Sequence, residues 1–456
     1  MSAPPHPPQR VAVVGSGLAG LLSAHLLARD GRQRYAVTIY ESGRSFSLDA
    51  ASVSIPNATH STPDRVDLPM RAFAGGYYHN LRALYDYLGI RYHPQPFLFD
   101  FATSAAHGPR DTSYFAHASN LHQLAPRPAT VGRTTYIAEL AYLVVSYVWF
   151  LLCCLLVSPG RGETLHHYLQ RTRMPRHFVS GYLLPLMSSV TTCPHTALLD
   201  FPASDIVGYK RGTHGAPHYC VSQGVGQVQH RLARDIPFQL NASVTAVEPS
   251  DKGVRLSWIR SSGADRKTHK EYFDKVILAV SPDVVSHIFQ PLQHHLSQIP
   301  TAVVESIVHT DVRVLGHADP RRTGRPETQL IHLHTSTGAV RQTESHHVQP
   351  CGAIVTTCPF SPIDPACVIR VSKFTRVLRS PKSQQVVNAI FSNHTAPCPD
   401  KSVPLWKNGD DNIWLAGGWC WDGMVLLEGC VVSAVRVAHA LGVEVPWRHD
   451  DRALQT

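Results

Sequence analysis

Apolar and polar positions follow the periods of strands and helices from the start of the chain. Four apolar residues at 11–14 end in a glycine, which is typical of a strand buried on both faces. The alanine- and leucine-rich stretch 18–28 predicts a helix, and Asp30 and Gly31 end it. Residues 35–41 predict a second strand. Together these stretches predict a compact βαβ unit, and therefore an α/β fold.

The remaining pattern predicts mostly helices before residue 200 and mostly strands after it. In order, it predicts a loop at 45–65, a helix at 77–90, helices across 136–190, a hairpin at 242–259, a buried strand at 275–282, β-rich runs at 300–375, and a strand, a glycine-rich turn and a helix at 412–442. At 456 residues the chain is long enough for two domains or for one large interleaved body.

Three glycines follow the first strand with the spacing of a dinucleotide-binding turn. Gly15 permits the tight turn, Gly17 allows the backbone to approach a diphosphate, and Gly20 allows helix and strand to pack closely. The N-terminus of the helix adds free N–H donors and the positive end of its dipole. Glu41 ends the second strand, where its carboxylate can accept hydrogen bonds from both ribose hydroxyls and would repel a 2′-phosphate. The start of the chain therefore predicts a bound dinucleotide other than NADP.

The far end of the chain bears on whether this dinucleotide is a flavin or a nicotinamide. A simple nicotinamide dehydrogenase completes its sheet within its first domain. Here a second glycine-rich strand-to-helix turn lies at 415–429, and another buried strand lies at 275–282. A cofactor domain assembled from separated pieces favours a flavin. The helix that begins near 427–429 would then direct N–H groups at the flavin pyrimidine carbonyl.

Three segments resemble the flavin-containing amine oxidase superfamily, and more narrowly its NAD/FAD-binding oxidoreductase-like members. They are the N-terminal "VAVVGSGLAGLLSAHLL…VTIYE", the mid-chain "FDKVILAVSPDVV" and the C-terminal "NIWLAGGW…LLEGCVVSAVRVA". The resemblance spans nearly the whole chain. It implies a Rossmann-like FAD-binding domain of the two-dinucleotide-fold flavoprotein type, discontinuous over 9–98, 215–290 and 405–445. An α+β substrate domain at 99–214 and 291–404 would be interleaved with it.

By position, the resemblance implies a set of cofactor-binding residues. FAD would be bound through Gly15, Gly17, Leu18, Ala19, Gly20, Glu41, Ser42 and Arg44, through the backbone of Val244 facing the adenine, and through Gly417, Gly418, Leu427 and Glu428 on the phosphate and isoalloxazine side. One stretch departs from the family pattern. Where family members carry a Gly-Gly-Arg turn against the flavin, this chain reads "ESGRSFSLDAAS", with Phe46 and Ser47 near the expected double glycine. Either this loop takes another path or the flavin seat is modified.

No catalytic residue is assigned, because the flavin is itself the electron sink. Amine-oxidising relatives often carry a lysine near flavin N5, and the strand "SIVHTDVRVL" here offers His309 and Asp311 instead. His309 is either a functional group or an ordinary strand histidine. Cys420 is either a covalent tether for the flavin or a small packed residue. Trp419 and Trp421 either shape an apolar pocket or pack in the core.

The segment 140–157 carries no charge over 18 residues, which is the lower limit for a helix that spans a bilayer. Arg133 precedes it and Arg161 follows it. One interpretation is a buried helix or the wall of an apolar substrate cavity. The other is a membrane segment. Because the neighbouring stretches belong to one globular fold, the second interpretation favours contact with one leaflet over a true span.

Composition narrows the class of protein further. The net charge of +9 comes without a basic run, so it indicates solubility or attraction to an anionic surface and no nucleic-acid partner. Ten cysteines without a C-x-x-C pair, and an N-terminus without an apolar core, predict an intracellular protein that is not secreted, with membrane association left open. The cysteine and histidine spacing predicts no metal site, and most of the 28 histidines are assigned to the surface. The oligomeric state stays open.

These observations predict an FAD-dependent oxidoreductase, an oxidase or a desaturase, that removes a hydride from a hydrophobic small molecule. Two alternatives remain. A flavin-dependent double-bond isomerase would use the same cofactor without net redox. An inactive flavin-binding, membrane-associated protein would account for the missing Gly-Gly-Arg turn. A simple nicotinamide dehydrogenase fits the pattern least well.

Overall fold

The computed structural model describes residues 7–56, 63–103, 112–260, 267–316, 327–338, 340–391 and 406–448. The strands are β1 (Gln9–Val14), β2 (Tyr35–Tyr40), β3 (Val53–Ile55), β4 (Asp64–Val66), β5 (Phe73–Ala74), β6 (Tyr92–Pro94), β7 (Phe97–Thr103), β8 (Thr112–Ala118), β9 (His218–Val221), β10 (Phe238–Gln239), β11 (Ala242–Ser250), β12 (Gly253–Arg260), β13 (Thr268–Phe273), β14 (Lys275–Leu278), β15 (Thr301–His309), β16 (Gln329–Thr335), β17 (Thr343–Val348), β18 (Ile354–Thr357), β19 (Val368–Val377) and β20 (Ile413–Leu415). The helices are α1 (Leu18–Ala28), α2 (His79–Tyr87), α3 (Arg133–Leu156), α4 (Leu165–Arg171), α5 (Arg176–Phe178), α6 (Leu184–Thr191), α7 (His195–Leu199), α8 (Ala203–Thr213), α9 (Gly226–Ala233), α10 (Pro282–Ile288), α11 (Gln293–Leu296), α12 (Pro381–Phe391) and α13 (Leu427–Ala440). A π-turn at Val179–Leu183 joins α5 to α6.

A five-stranded parallel sheet has the order β10-β2-β1-β14-β20, so its strands come from widely separated parts of the chain. Residues of β1 alternate between its two faces. Val11 and Val13 pack into a core with α1 and α13, whereas Ala12 and Val14 pack into a second core with the antiparallel sheet β11-β12-β13. A strand covered on both sides must be apolar at every position, which explains the uninterrupted run 11–14.

The carboxyl ends of these parallel strands meet at one edge of the sheet. Gly15 follows β1, Glu41 follows β2, Ala279 follows β14, and Ala416 follows β20. The dinucleotide turn and the C-terminal glycine-rich turn are therefore brought together by the sheet, although about 400 positions separate them in the chain. In an open parallel sheet this edge is where a ligand binds.

A seven-stranded sheet has the order β19-β15-β18-β17-β16-β7-β8 and is antiparallel except where β16 pairs with β7. Side chains alternate between its faces. Phe97, Phe99 and Phe101 on β7 lie on the face that lines a large cavity, while Asp100 points to the opposite face and is hydrogen-bonded there to His332. The helices between β8 and β9 pack against the cavity side in a separate core.

Most of the elements expected from periodicity are present. The α/β class, the βαβ unit, the hairpin at 242–259, the helical stretch 136–190 and the final strand, turn and helix are confirmed. The helix expected at 77–90 is shorter, because Tyr78 has non-helical dihedral angles and α2 begins only at the following residue.

The expectation of a plain loop at 45–65 is wrong in part. β3 and β4 lie within or at the end of this stretch and pair with each other in antiparallel register. Val66 and the neighbouring Leu68 are buried against Val308 and Val355 of the seven-stranded sheet. Strands this short carry too few alternating positions to be recognised, and their pairing depends on that distant apolar surface.

Candidate functional site

A cavity of about 1580 Å³ begins at the carboxyl edge of the parallel sheet and extends along the seven-stranded sheet to α3. Gly15 and Gly417 line it at one end, and Leu140 and Tyr147 line it at the other. Pockets for one drug-sized ligand occupy about 300–1,000 Å³. The volume therefore leaves room for a dinucleotide and a second molecule beside it.

The turn after β1 is shaped by close backbone contacts. Gly15 has a φ of +101°, and a Cβ built on it would lie 2.5 Å from the carbonyl oxygen of Ala279. A Cβ on Gly20 would lie 2.1 Å from the carbonyl oxygen of Gly15, so only glycine lets α1 pack this closely on the turn. A Cβ on Gly17 would meet nothing nearer than Ser47 Oγ at 3.8 Å. The turn is thus closed at Gly15 and Gly20 and open towards the cavity at Gly17.

The first turn of α1 lies at the same end of the cavity. α1 begins at Leu18, and its N-cap residue is Gly17, which has no side chain to cap the helix. Leu18 and Ala19 both line the cavity. The N–H groups at the start of a helix have no partner within the helix, and the positive end of the helix dipole adds to their attraction for anions. This end of the cavity has the geometry that binds a diphosphate.

The carboxylate of Glu41 is buried beside this turn. Its Oε2 accepts hydrogen bonds from the Ser16 backbone at 3.2 Å and from the Ser16 hydroxyl, and its Oε1 accepts one from the Gly43 backbone at 2.7 Å. The Ser47 backbone N–H donates to Ser16 Oγ at 2.8 Å. The loop that departs from the family pattern is therefore folded onto the dinucleotide turn, with Ser47 tied to Ser16.

The structure brings most of the expected cofactor residues to one cavity. Those that line it are Gly15, Gly17, Leu18, Ala19, Glu41, Ser42, Val244, Gly417, Gly418 and Leu427. Three of the expected residues do not line it: Gly20 is packed under the turn, Arg44 is exposed on the surface, and Glu428 is buried behind the cavity wall.

Glu428 caps the N-terminus of helix α2 by hydrogen bonds. Its Oε1 accepts hydrogen bonds from the backbone and the side-chain amide of Asn80 at 2.9 and 2.8 Å, and its Oε2 accepts one from the Leu81 backbone at 3.0 Å. Tyr78, the N-cap residue of α2, makes no side-chain cap of its own. A carboxylate at this position satisfies otherwise unpaired N–H groups and complements the helix dipole. In the structure, Glu428 links α13 to α2.

Two arginines of the cavity, Arg71 and Arg376, are not among the residues expected from the sequence to bind the cofactor. Arg71 donates from its guanidinium to the carbonyl oxygen of Leu48 at 3.2 Å, and its Nε has no hydrogen-bond partner among the described residues. Arg376 donates to the carbonyl oxygens of Thr191 and Val190 at 3.1 and 3.3 Å. Desolvation by burial lowers the pKa of both groups. Arg71 thus offers a buried donor to an acceptor inside the cavity.

Apart from these arginines, the cavity wall is largely apolar or uncharged. Phenylalanines and tyrosines of β7, β8 and the helical region face it: Phe97, Phe99, Phe101, Phe115, Tyr182 and Tyr209. Burial lowers the pKa of His117 and of His347, which also face the cavity, to about 4, so both are neutral near pH 7. Lys210 is the one lysine among the described cavity residues, and it donates to the hydroxyl of Tyr147 on α3.

The residues that the sequence suggested for a catalytic or covalent role, or for the wall of an apolar pocket, lie in different parts of the structure. His309 is on the opposite face of the seven-stranded sheet, where its Nε2 is 2.7 Å from Thr356 Oγ1, and Asp311 is paired with Arg313. Cys420 is packed in the second core, and burial raises the pKa of its thiol. Trp419 lines the cavity, whereas the indole of Trp421 donates to the backbone of Met424 outside it.

Helix α3 forms the far end of the cavity and leaves much of its apolar surface uncovered. It is long and apolar enough to cross a membrane by length and composition alone. One side, including Leu143 and Phe150, is buried against the protein. Leu140, Val144 and Val148 line the cavity and are still 42%, 55% and 46% exposed. Of the two earlier interpretations, α3 has the position of a cavity wall, and it is not a buried helix.

Two family matches cover different parts of the chain. Residues 13–88 match the NAD(P)-binding Rossmann-like domain, and residues 160–335 match the flavin containing amine oxidoreductases. No curated protein matches the chain in sequence.

Solved structures share its fold at low sequence identity. An oxidoreductase from Methanosarcina mazei is 11% identical with a TM-score of 0.55, and the match covers 94% of this chain and 100% of that one. Cyclohexylamine oxidase from Brevibacterium oxydans is 13% identical with a TM-score of 0.53, and the match covers 96% of this chain and 100% of that one. At such identities the likeness concerns the fold.

Proposed function

The chain belongs to the flavin-containing amine oxidase superfamily and is a flavin-dependent oxidoreductase, and on that basis we propose that it binds FAD and oxidises a hydrophobic small molecule. A single observation carries this proposal. One continuous cavity joins the dinucleotide turn at Gly15 and Gly17 to a chamber walled by the phenylalanines of β7. A cofactor held at the turn and a substrate held in the chamber would therefore meet without leaving the protein.

The residues at the turn fit FAD. The N–H groups at the start of α1 would hold the diphosphate, and Glu41 would accept hydrogen bonds from the ribose hydroxyls. Gly17 leaves the space that the ligand needs. Arg71 Nε, buried and without a partner among the described residues, would donate to an oxygen of the cofactor. When bound, the flavin supplies the electron sink for hydride removal. The protein then has to bind and orient the substrate and to exclude water.

The chamber favours an uncharged, hydrophobic substrate. Its aromatic walls offer apolar contact area, and its histidines His117 and His347 are neutral near pH 7. Transfer of an isolated charge into such surroundings is unfavourable unless a partner is present. An amine would have to enter this chamber in its neutral form, and a desaturation substrate would enter without that restriction.

We further propose that the substrate reaches the cavity from a membrane surface through contact of α3 with one leaflet. Leu140, Val144 and Val148 are both exposed and part of the cavity wall, so the opening lies beside the uncovered apolar face of α3. On the outer side of that face, Val145 is 70% exposed and Leu156 is 78% exposed. Large exposed apolar surfaces are unusual on soluble proteins and mark interaction sites. The opposite side of α3 is packed on the protein, which favours contact with one leaflet over a span.

The test of the proposed function begins with the cofactor. The purified protein is expected to be yellow and to release FAD on acid precipitation, and Gly17→Val is expected to abolish binding. Gly17 has an extended backbone that valine adopts, and a Cβ there meets nothing close, so the variant should fold. Gly31→Val, at an exposed position with nothing within 4 Å of a Cβ, is the matched control and should keep the flavin. Colourless wild-type protein that is folded, or full flavin content in Gly17→Val, contradicts the proposal.

Substrate classes are then separated by the flavin spectrum. Under anaerobic conditions, a compound that the enzyme oxidises reduces the flavin and bleaches it. Oxygen or another electron acceptor then restores the colour. A panel of apolar amines and polyunsaturated or saturated hydrocarbons distinguishes amine oxidation from desaturation. Conversion of a compound to an isomer without net bleaching or oxygen consumption would contradict an oxidase or desaturase.

A further inference from the structure

Four buried polar side chains form a square on the seven-stranded sheet, on the face turned away from the cavity. His332 and His334 on β16 lie directly opposite His346 and Glu344 on β17. All four side chains are almost fully buried, with exposed fractions of 2% or less. Because side chains alternate along a strand, a spacing of two residues places both members of each pair on the same face.

The ligand-type atoms of this cluster converge. Glu344 Oε1 lies 2.7 Å from His334 Nδ1 and 3.3 Å from His346 Nε2. One such atom from each of the three residues lies within 4.8 Å of the others. A tetrahedral zinc ion with bonds of about 2.0–2.1 Å holds its ligand atoms about 3.3 Å apart. The three side chains need only small adjustments to reach that geometry.

One imidazole nitrogen in the square, Nε2 of His332, has no hydrogen-bond partner among the described residues, and Nε2 of His346 has only the 3.3 Å ion-pair contact with Glu344 Oε1. The other nitrogen of each ring is occupied. His332 Nδ1 lies 2.6 Å from Asp100 Oδ2, and His346 Nδ1 lies 2.8 Å from Thr356 Oγ1. His332 donates its Nδ1–H to the Asp100 carboxylate, so its Nε2 carries a lone pair that can bind a metal ion. This is the arrangement found behind histidines that ligate metals, where a carboxylate orients the ring.

The arrangement around Glu344 also suits an ion. Its Oε2 accepts backbone hydrogen bonds from Phe360 at 2.8 Å and Ser361 at 3.0 Å, which fixes the carboxylate. Its Oε1 accepts a hydrogen bond from the Ser361 hydroxyl and faces His334 and His346. The rings of His332 and His346 have centroids 5.6 Å apart, and those of His332 and His334 are 6.3 Å apart. With neutral imidazoles, the carboxylates of Glu344 and Asp100 together balance the charge of a divalent cation.

We propose that His334, Glu344 and His346, with His332 as the fourth ligand, form a structural site for one divalent transition-metal ion, with Zn²⁺ as the ion bound. A set of four buried imidazole and carboxylate ligands suits zinc. The ion would cross-link β16 to β17 and rigidify the strands whose other face lines the cavity. The site lies apart from the flavin and takes no part in the redox reaction.

The sequence contains the signal for this site in the form H-x-H at 332–334 and E-x-H at 344–346. The expectation that no metal is bound rests on the absence of a C-x-x-C pair and of zinc-like cysteine and histidine spacing. A strand-based site has a spacing of two, and the assignment of most histidines to the surface does not hold for these three, which are buried. The competing explanation is a metal-free histidine–glutamate ion pair, and the experiment below separates the two.

The experiment measures metal content and thermal unfolding on the full-length, flavin-loaded protein after removal of any affinity tag. Elemental analysis is expected to find one zinc ion per chain. A strong chelator should lower the unfolding temperature, and Zn²⁺ alone should restore it. Glu344→Gln and His346→Gln should each lose the ion. His347→Gln, one residue further on the same strand but facing the cavity, is the matched control and should keep it. Asp100→Asn should weaken zinc affinity by about 10–100-fold, because it removes the carboxylate that orients His332.

A further variant distinguishes loss of the metal ligand from a failure of the protein to fold. His346→Cys replaces one zinc ligand by another, so it should keep the metal, and its Co²⁺ form should show a sulfur-to-cobalt absorption absent from the Co²⁺-loaded wild type. Wild-type protein that holds no metal and is unaffected by added Zn²⁺ overturns the proposal and leaves the ion pair. Equal metal loss in His347→Gln and His346→Gln, or a Co²⁺-loaded His346→Cys protein without the sulfur absorption, also overturns it. None of these readouts depends on the proposed redox activity.

Discussion

The Glu41 carboxylate is hydrogen-bonded to Ser16, the residue between the first two glycines of the dinucleotide turn. The Ser16 backbone N–H donates to Glu41 Oε2 at 3.2 Å, and the Ser16 hydroxyl donates to the same oxygen. The acid at the end of one strand is thus attached to the turn that follows the neighbouring strand. This contact holds the two halves of the expected dinucleotide site at a fixed distance.

We expect Glu41→Gln to weaken FAD binding about tenfold. Hydrogen bonds to a charged acceptor contribute about 1.5–3 kcal/mol, compared with about 0.5–1.5 kcal/mol for neutral ones, and 1.4 kcal/mol corresponds to tenfold. Titration of the flavin-free protein with FAD measures the change. Glu248→Gln removes the charge of an exposed glutamate on β11 and should leave the affinity unchanged. Equal affinities of wild type and Glu41→Gln would show that Glu41 does not hold the cofactor.

Gly20→Ala should lower the free energy of unfolding by about 1–3 kcal/mol, because the new Cβ would lie 2.1 Å from the carbonyl oxygen of Gly15 and 3.1 Å from the Cβ of Ala279. Urea unfolding of the flavin-free protein measures it. Gly208→Ala in α8 is the matched control, since a Cβ there meets nothing within 4 Å. Helix propensity predicts that the control gains up to about 1 kcal/mol. Unchanged stability of Gly20→Ala would contradict the close packing at this turn.

Glu428→Gln should destabilise the flavin-free protein by about 1–3 kcal/mol. One carboxylate accepts from the backbones of Asn80 and Leu81 in a buried position, and an amide keeps only one accepting oxygen. The resemblance assigned Glu428 to the flavin, and in that role the loss would appear only with FAD bound. Urea unfolding with and without FAD separates these outcomes. Glu444→Gln, at an exposed position, is the control.

A charge on the outer face of α3 should abolish membrane binding. Val145 is 70% exposed and does not line the cavity, so Val145→Glu should leave folding and flavin content intact. Flotation with vesicles of mixed neutral and anionic phospholipids measures binding. Val303→Glu introduces the same change on β15 at 73% exposure and should bind as the wild type does. A wild-type protein that stays unbound, or a Val145→Glu protein that floats with the vesicles, would contradict leaflet contact.

His25 should make the protein less stable as the medium becomes acidic. Burial lowers its pKa to about 4 in the folded protein, whereas the unfolded chain has the ordinary value of 6.5. Between those pH values the unfolded state binds a proton that the folded state does not, so stability is full above pH 6.5 and is lost as pH falls towards 4. In His25→Gln the slope of unfolding free energy against pH should decrease by about 1.4 kcal/mol per pH unit in this window. A slope in His25→Gln equal to that of the wild type would contradict this assignment.

The local patterns in the sequence determined the βαβ unit, the glycine turn and the C-terminal strand, turn and helix. These elements depend on interactions between residues close in the chain, such as the apolar run 11–14 and the helix that follows Gly17. Their placement at one sheet edge follows from parallel pairing, so most of the residues that the resemblance assigned to the cofactor do line one cavity.

Contacts between distant segments were decided only by the tertiary structure. Glu428 lies next to Asn80 because α13 packs against α2, and no pattern near either residue encodes that contact. Arg71 reaches the cavity from the loop between β4 and β5. Likewise, the sequence predicts that α3 is apolar but does not predict which of its faces is covered. In the folded chain, packing buries Leu143 and leaves Val145 exposed. The physical reason is that hydrogen bonds along the backbone and side-chain periodicity are local, whereas burial depends on which surfaces the folded chain brings into contact.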